Sequence, residues 1–207
     1  MMGTQIVGGV SATAAIRPAS AADMCALTDF FAGLSMQTRY LRFFAPVMPG
    51  PKLVRRMSGG DSCVNAVVAV RGGVVIGHAM AVDQAGPHGA RTADVGVVVA
   101  DAWQGLGVGS ALMRALAVGA QARGVTSLTM DVLPGNHRML ALIARHWPAA
   151  RGESSGGFAT FRVLPGSHPQ QVPQARSAAL VPARVVVFDG AGRPANSPHR
   201  AEGRRPR

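Results

Sequence analysis

A glycine-rich turn at the start of a predicted helix is the segment of this sequence best suited to chemistry. It reads Gln104-Gly105-Leu106-Gly107-Val108-Gly109-Ser110 and follows a valine-rich run at residues 95–99. The first N–H groups of a helix lack partners within the helix, and the helix dipole adds partial positive charge at the same end. Glycine also lets the backbone approach phosphate oxygens closely. The turn is therefore predicted to bind an anion.

Three phosphate-binding designs compete for this turn. A Walker loop requires Gly-Lys-Ser/Thr after its second glycine, and Lys52, the only lysine, lies far away. A dinucleotide fingerprint opens the first strand of a βαβ unit, whereas this turn comes late and after a predicted hairpin. The third design is Gln or Arg, two residues, Gly, one residue, then Gly or Ala, which Gln104, Gly107 and Gly109 satisfy. The motif alone also leaves open a second interpretation, in which the glycines at the helix start serve only close packing.

Hydrophobic periodicity and turn residues predict the elements that position this turn. Helices are expected over residues 21–33, 36–44, 107–122 and 137–147, with a helical turn at 52–57. Strands are expected over residues 14–18, 64–70, 74–83, 91–99, 125–132 and 158–164. The two strands at 64–83 turn at a glycine pair and form a hairpin. The core is predicted to be mixed α and β, with a strand, a helix and a strand at its centre.

Length and composition favour one soluble domain. The chain has 207 residues, and no apolar run approaches the roughly 20 residues of a membrane helix. The first fifteen residues lack the pattern of a secretory signal, so a cytoplasmic protein is expected. Cys25 and Cys63 are expected to be small buried hydrophobic residues, because their spacing fits neither a disulfide framework nor a zinc site.

The basic charge is concentrated towards the end of the chain. The formal net charge is +11, and the stretch from Arg176 to Arg207 contains seven arginines but only two acidic residues. This excess suits either nucleic acid or the phosphates of CoA, and charge alone does not choose between them. We expect a flexible extension over residues 1–13, one domain over 14–164, and a basic Pro/Arg-rich tail over 165–207 with one strand-like run at 184–188.

From about Ile16 to Leu164 the chain resembles the GNAT superfamily of N-acetyltransferases. The likeness rests on the glycine-rich turn, the helical hairpin before the sheet, the valine-rich strand, and Asn136 just after the next strand. Leu34-Ser35, the run at 39–44 and the run at 101–104 are similar to the bacterial protein-lysine acetyltransferase (Pat-like) branch. The resemblance implies an α/β (α+β) fold. Its mixed, mostly antiparallel sheet has about six or seven strands with a splayed central parallel pair, flanked by helices.

The resemblance also implies which residues border acetyl-CoA, with no metal involved. Backbone groups of Val97, Val98 and Val99 would bind the pantetheine arm. The pyrophosphate would be held by Gln104, Gly105, Leu106, Gly107, Val108, Gly109 and Ser110, and the CoA arm bordered by Asn136 and Met139. Gly96 is expected to form the bulge that a splay needs, and the alternative is a strand glycine that permits close packing.

The implied reaction is direct transfer of the acetyl group to a primary amine. A protein lysine is favoured over a small-molecule amine as acceptor. Asp94 is the candidate base, acting directly or through a water, because it lies where the similar branch has glutamate; a solvated carboxylate or a partner of Arg91 is the alternative. Arg39 and Arg42 are expected on a solvated helix face, and the alternative is that they face an acidic acceptor or substrate protein.

The general acid and the partners are less defined. Most GNAT enzymes have a tyrosine near Asn136, but Tyr40 is the only tyrosine here. His78, His137 and His146 are alternatives for proton transfer, although each is more typical of surface or core. A module that senses acyl-CoA without chemistry therefore stays open. We expect no association with a membrane. The only argument for nucleic-acid binding is the basic charge. A homodimer is one candidate for the oligomeric state.

Overall fold

The valine-rich stretches pair into one mixed sheet. The computed structural model describes residues 14–86 and 89–166. Within them the strands are β1 (Ala15–Pro18), β2 (Val64–Arg71), β3 (Val74–Ala85), β4 (Arg91–Val99), β5 (Ser127–Val132), β6 (Gly152–Ser155) and β7 (Phe158–Val163). Their spatial order is β1-β2-β3-β4-β5-β7-β6. Only β4 and β5 run parallel among these neighbours. The predicted mixed, mostly antiparallel sheet is confirmed.

Five helices flank the sheet in the described ranges. They are α1 (Met24–Ala32), α2 (Met36–Phe43), α3 (Pro51–Met57), α4 (Val108–Ala122) and α5 (His137–His146). Two of the helix starts are capped by side chains: Ser35 accepts a hydrogen bond from the Thr38 N–H, and Asn136 accepts one from the Met139 N–H. Gly124, in the left-handed region at φ +76°, follows the end of α4. Local sequence therefore sets where these helices begin and end.

The parallel pair separates soon after it forms. β4 and β5 are paired only from Thr92↔Ser127 to Asp94↔Thr129. Beyond that point residues 95–99 keep their antiparallel partner β3, but β5 no longer pairs with them. The expected splay is thus present. The bulge expected at Gly96 is wrong, because the β3–β4 register runs unbroken through Met80↔Gly96.

Other sequence-based expectations also differ from the structure. Strand β6 was not expected, since its Gly-Glu-Ser-Ser sequence has no apolar alternation and its residues are exposed. Cys25 and Cys63 are free and exposed rather than buried. The predicted extension at 1–13 and the candidate strand at 184–188 lie outside the described residues. No helix within 14–86 and 89–166 combines the length and hydropathy required to cross a bilayer.

Two apolar layers enclose the sheet. On one face of the sheet, Leu112 and Leu116 of α4 form a cluster with Leu128 of β5. Leu27 and Phe31 of α1 pack against the other face in a second cluster. Since successive side chains of a strand point to opposite faces, β4 contributes to both layers.

A glycine in β3 sets the distance between the sheet and α4. A Cβ added to Gly77 would lie 2.9 Å from Leu112 Cδ1 and 3.3 Å from Val108 Cγ1. Both contacts are at the first turns of α4, directly after the glycine-rich turn. A side chain at position 77 would therefore push the start of α4 away from the sheet.

Gly77→Ala is expected to lower the free energy of unfolding by about 1–3 kcal/mol, the usual cost of overpacking a closely packed core. Gly135→Ala is the matched control, because a Cβ there meets nothing within 4 Å. Urea unfolding of the three proteins measures the difference. Equal stability of both variants would contradict the close approach of β3 to α4.

Candidate active site

A cavity of about 440 Å³ opens beside the separated end of β4. It lies between the last residues of β4, the glycine-rich turn, α5 and α2. Ten of the residues predicted to border the cofactor line it, namely Val97, Val98, Val99, Gln104, Gly105, Gly107, Gly109, Ser110, Asn136 and Met139. Leu106, Val108 and Asp94 are outside this lining. Leu106 is exposed, and Val108, the first residue of α4, is buried in the core.

The backbone of the turn gathers N–H groups at one end of the cavity. Gly105 and Gly107 have φ of +77° and +84°, which side-chain-bearing residues rarely adopt. Gly107 is the N-cap of α4, and its carbonyl accepts the hydrogen bond from the Ala111 N–H at 3.1 Å. The preceding N–H groups at 108–110 belong to the first helical turn and lack intrahelical partners. This arrangement has the geometry that suits an anion.

A hydrogen-bond network ties the turn to α2. The Gln104 side-chain amide donates to the Val99 carbonyl at 3.0 Å and to the Thr38 hydroxyl at 3.1 Å. The Thr38 hydroxyl in turn donates to Asp101 at 2.6 Å. Asp101 also accepts from the Ser35 N–H at 2.9 Å and from its hydroxyl at 2.7 Å. The side chain of Gln104 therefore orients the turn.

The same network stabilises the charged form of Asp101. Burial alone would raise the pKa of this carboxyl, but the hydrogen bonds from Ser35 and Thr38 outweigh it and hold the pKa below its usual value. Because the carboxylate stays ionised, it can accept all of these hydrogen bonds at neutral pH.

Asp94 is the last residue of β4 that is paired with β5, so it lies where the two strands separate. Burial, followed by repulsion from Asp131, raises its pKa to about 6. A hydrogen bond from the Gln84 side-chain amide and the positive charge of Arg162 partly oppose this shift. Asp94 therefore changes its charge close to neutral pH, unlike an ordinary carboxylate.

The alternative role of Asp94 as the partner of Arg91 is not observed. Arg91 lies 3.4 Å from Asp83, which also accepts hydrogen bonds from Arg123 at 2.9 and 3.1 Å. Asp94 is thus left to interact with Gln84 and the residues of the strand opening.

Asp131 is a neighbouring acid that sequence reasoning missed. It follows Thr129, the partner of Asp94, by two residues, so its side chain is on the same face of the sheet. Burial raises its pKa, while a 2.6 Å hydrogen bond from the Thr160 hydroxyl opposes the shift. The negative charge of Asp131 contributes to the raised pKa of Asp94. Only strand register could have revealed this pair, because the chain separates the two residues by a whole helix.

The three histidines are in different environments. His78 is buried in β3, where its Nε2 lies 2.9 Å from the Met57 carbonyl oxygen and burial lowers its pKa to about 4. His146 is buried beside Trp147. Of the three, only His137 lines the cavity, and the exposed Tyr40 does not.

Arg42 lies at the other end of the cavity, although a solvated helix face was expected for it. The guanidinium is positioned over Gly96, where any Cβ would collide with its Cζ and both terminal nitrogens. It also covers the Phe43 ring, with 5.1 Å between Cζ and the ring centroid. Burial lowers its pKa to about 10. The signal in sequence was its i, i+4 relation to Thr38, which is also turned inward.

A family model agrees with this geometry. The model of the acetyltransferase (GNAT) family matches residues 36–146, which is more than half of the chain. The chain belongs to the GNAT acetyltransferase family. This GNAT enzyme is accordingly an acyl-CoA-dependent N-acetyltransferase with acetyl-CoA as its acyl donor.

Solved structures share the GNAT fold. The GNAT domain of PAT from S. lividans is 28% identical, with a TM-score of 0.66, and the match covers 73% of this chain and 90% of that one. A cAMP-binding acyltransferase from Mycobacterium smegmatis is 26% identical, with a TM-score of 0.51 over 76% of this chain and 46% of that one. An acetyltransferase from Salmonella typhimurium, solved with its cofactor acetyl-CoA, is 18% identical, with a TM-score of 0.60 over 80% and 100%. At that identity the likeness shows the fold alone.

Asp94→Asn is expected to stabilise this GNAT enzyme at neutral pH. The folded-state pKa of about 6 exceeds the ordinary value of 3.8. The folded state thus holds the proton more tightly, and stability falls as pH rises from about 4 to about 6. Asparagine removes this cost, which is at most about 3 kcal/mol for a shift of this size.

Urea unfolding at about pH 4 and about pH 7.5 measures the effect. The variant should gain stability over the native protein only at the higher pH. Asp29→Asn, on the exposed side of α1, is the control and should change neither value. A loss of stability for Asp94→Asn at both pH values would contradict the raised pKa.

Proposed function

We propose that this enzyme transfers the acetyl group of acetyl-CoA directly to a primary amine, that Asp94 accepts the amine proton, and that the favoured acceptor is a protein lysine. One observation carries the proposal: a base with a raised pKa is located where β4 and β5 separate, and an anion site follows the same strand. A thioester extended along β4 would have its phosphates at one end and its carbonyl near the base.

The residues around the cavity fit the donor. Unpaired N–H groups at 108–110 suit the pyrophosphate, and the free edge of residues 97–99 offers peptide groups to the amides of the pantetheine arm. Asn136 and Met139 border this arm from the start of α5. The lining contains Arg42, Arg138 and Arg145 and, among the described residues, no Asp or Glu. This charge balance complements a polyphosphorylated ligand.

Asp94 is suited to remove a proton from the acceptor. A lysine amine ordinarily titrates near 10.4, so it reaches the site protonated and needs a base. A carboxyl with a pKa of about 6 is ionised at neutral pH yet binds a proton more readily than an ordinary aspartate. The neighbouring Asp131 supports this role, because its negative charge favours protonation of Asp94.

In the transfer, the acyl carbon forms one new bond and loses one. The amine nitrogen bonds to the thioester carbonyl carbon, and the C–S bond breaks with its electron pair on sulfur. The protonated amine first gives one proton to Asp94, directly or through a water, and the nitrogen releases its second proton to solvent as the amide forms. Thiols ordinarily titrate near 8.5, so the thiolate leaves without a tyrosine acid and takes a proton from solvent.

Two observations support a protein acceptor. The GNAT domain of S. lividans PAT is 28% identical over most of both chains. Exposed apolar side chains also surround α2 and the loop after it, close to the end of the cavity that Arg42 lines. They are Met36, Tyr40, Val47 and Met48. Such a surface suits contact with a folded acceptor or a peptide.

Mass-resolved acetyl transfer tests the function. Acetyl-CoA is supplied with lysine peptides, with intact proteins and with small amines. Asp94→Asn should lower kcat by about 10²- to 10⁴-fold, the usual contribution of a positioned base, while acetyl-CoA affinity stays nearly constant. The kcat/KM of the native enzyme should rise with pH through about 6, and this limb should be absent in Asp94→Asn.

Asp29→Asn is the control and should retain the native rate and pH profile. Product from small amines alone would reassign the acceptor. No product from any amine, with acetyl-CoA still bound, would overturn the proposed reaction and favour a sensor of acyl-CoA.

Gly107→Ala should weaken acetyl-CoA binding by about tenfold or more, because a side chain at φ +84° distorts the turn that presents the N–H groups. Gly124→Ala is matched for backbone strain, with φ +76°, but lies at the other end of α4 and outside the cavity. Calorimetric titration distinguishes them. Equal weakening in both variants would count against the turn as the pyrophosphate site.

A further inference from the structure

Arg42 is a cation for which the described part of the chain provides no anionic partner. Its guanidinium makes no hydrogen bond or ion pair with any residue in 14–86 or 89–166, and its Nε is shielded from solvent. The Phe43 ring beneath it attracts the positive charge without neutralising it. Because this guanidinium lines the cavity and is paired with no carboxylate of the described protein, it can bind an anionic ligand without breaking an existing ion pair.

The nearby acids are already engaged. Asp101 accepts hydrogen bonds from Ser35 and Thr38 on the same helix as Arg42. Asp94 accepts from Gln84, and Asp131 accepts from Thr160. The adjacent His78 is kept neutral, since burial lowers its pKa to about 4. The described protein thus offers Arg42 no anion of its own.

The position of Arg42 identifies the part of the donor that it would meet. It covers Gly96, three residues before Val99, and the glycine-rich turn lies beyond Val99. At about 3.3 Å per residue, Gly96 is about 10 Å from the end of β4. A donor with its phosphates at the turn and its arm along 97–99 would therefore have its acyl group beside Arg42.

We propose that Arg42 is a carboxylate subsite for the acyl group, so that besides acetyl-CoA the enzyme uses, and prefers, donors whose acyl chain ends in a carboxylate, of the succinyl-CoA type. The planar guanidinium can bind such a carboxylate through two parallel hydrogen bonds. This inference rests on the proposed transferase function.

The subsite faces the donor rather than the acceptor. Arg42 lines the same cavity as the glycine-rich turn, whereas Asp94, which would meet the acceptor amine, is not part of that lining. In the reaction the amine nitrogen bonds to the thioester carbon and the thiolate leaves. The distal carboxylate of the acyl group stays paired with Arg42 throughout and is carried into the amide product.

Donor selectivity of the native enzyme and of Arg42→Met tests the subsite. Acetyl-, butyryl- and succinyl-CoA are compared by calorimetric binding and by kcat/KM with one amine; butyryl-CoA matches the carbon count of succinyl-CoA without its charge. Succinyl-CoA should exceed butyryl-CoA by about 10- to 100-fold in the native protein, as expected for a charged pair of this kind. The ratio should fall to about one in Arg42→Met.

Two further variants keep the test independent of folding. Gly96→Ala displaces only the flexible end of Arg42 and should lower the same ratio. Arg39→Met, on the same helix but outside the cavity, should leave it unchanged. Thermal melts verify that each variant is folded.

The outcomes separate this inference from the proposed function. Acetyl transfer with no preference for succinyl-CoA would overturn the subsite alone. A binding preference that depends on Arg42, without any transfer, would support the subsite and overturn the transferase function. A free amino acid and its amide are also compared as acceptors. If Arg42→Met changed only the preference between these two acceptors, Arg42 would bind a carboxylate of the acceptor, and the proposed donor subsite would be wrong.

Discussion

The separation of β4 from β5 after Asp94 is the constraint on which the rest of this structure depends. A parallel pair normally satisfies its backbone groups along its whole length, but here the ladder stops after three residue pairs. β4 keeps its shape because β3 remains paired with it through Val99. One edge of a rigid strand is thereby left free inside the molecule, and the cavity forms along this edge.

The elements around the opening are held by close packing and by hydrogen bonds. Gly77 lets β3 approach the first turns of α4, which fixes the helix start on the sheet. On the other side, Asp101 and Gln104 connect the loop after β4 to Thr38 in α2. Because both contacts converge on the glycine-rich turn, its N–H groups are oriented before any ligand binds. Such preorganisation reduces the entropy lost on binding.

Charge is divided between the two sides of the opening. The cavity wall carries arginines and, in the part of the chain described, no carboxylate. The neighbouring acids Asp94 and Asp131 lie outside this wall, where β4 and β5 separate. The positive side suits a phosphorylated donor, and the acidic side suits an amine that must lose a proton. Arg42 lies near the boundary, over Gly96.

The sequence by itself determined the helices, most strands and the glycine-rich turn, because caps, glycines and apolar periodicity act over a few residues. It also indicated Asp94, through a resemblance at one strand position. Tertiary structure alone decided that Asp131 lies near Asp94, that Arg42 points inward, and that β4 has no bulge at Gly96. These depend on strand register and helix packing, which join residues far apart in the chain, and no local pattern encodes such contacts.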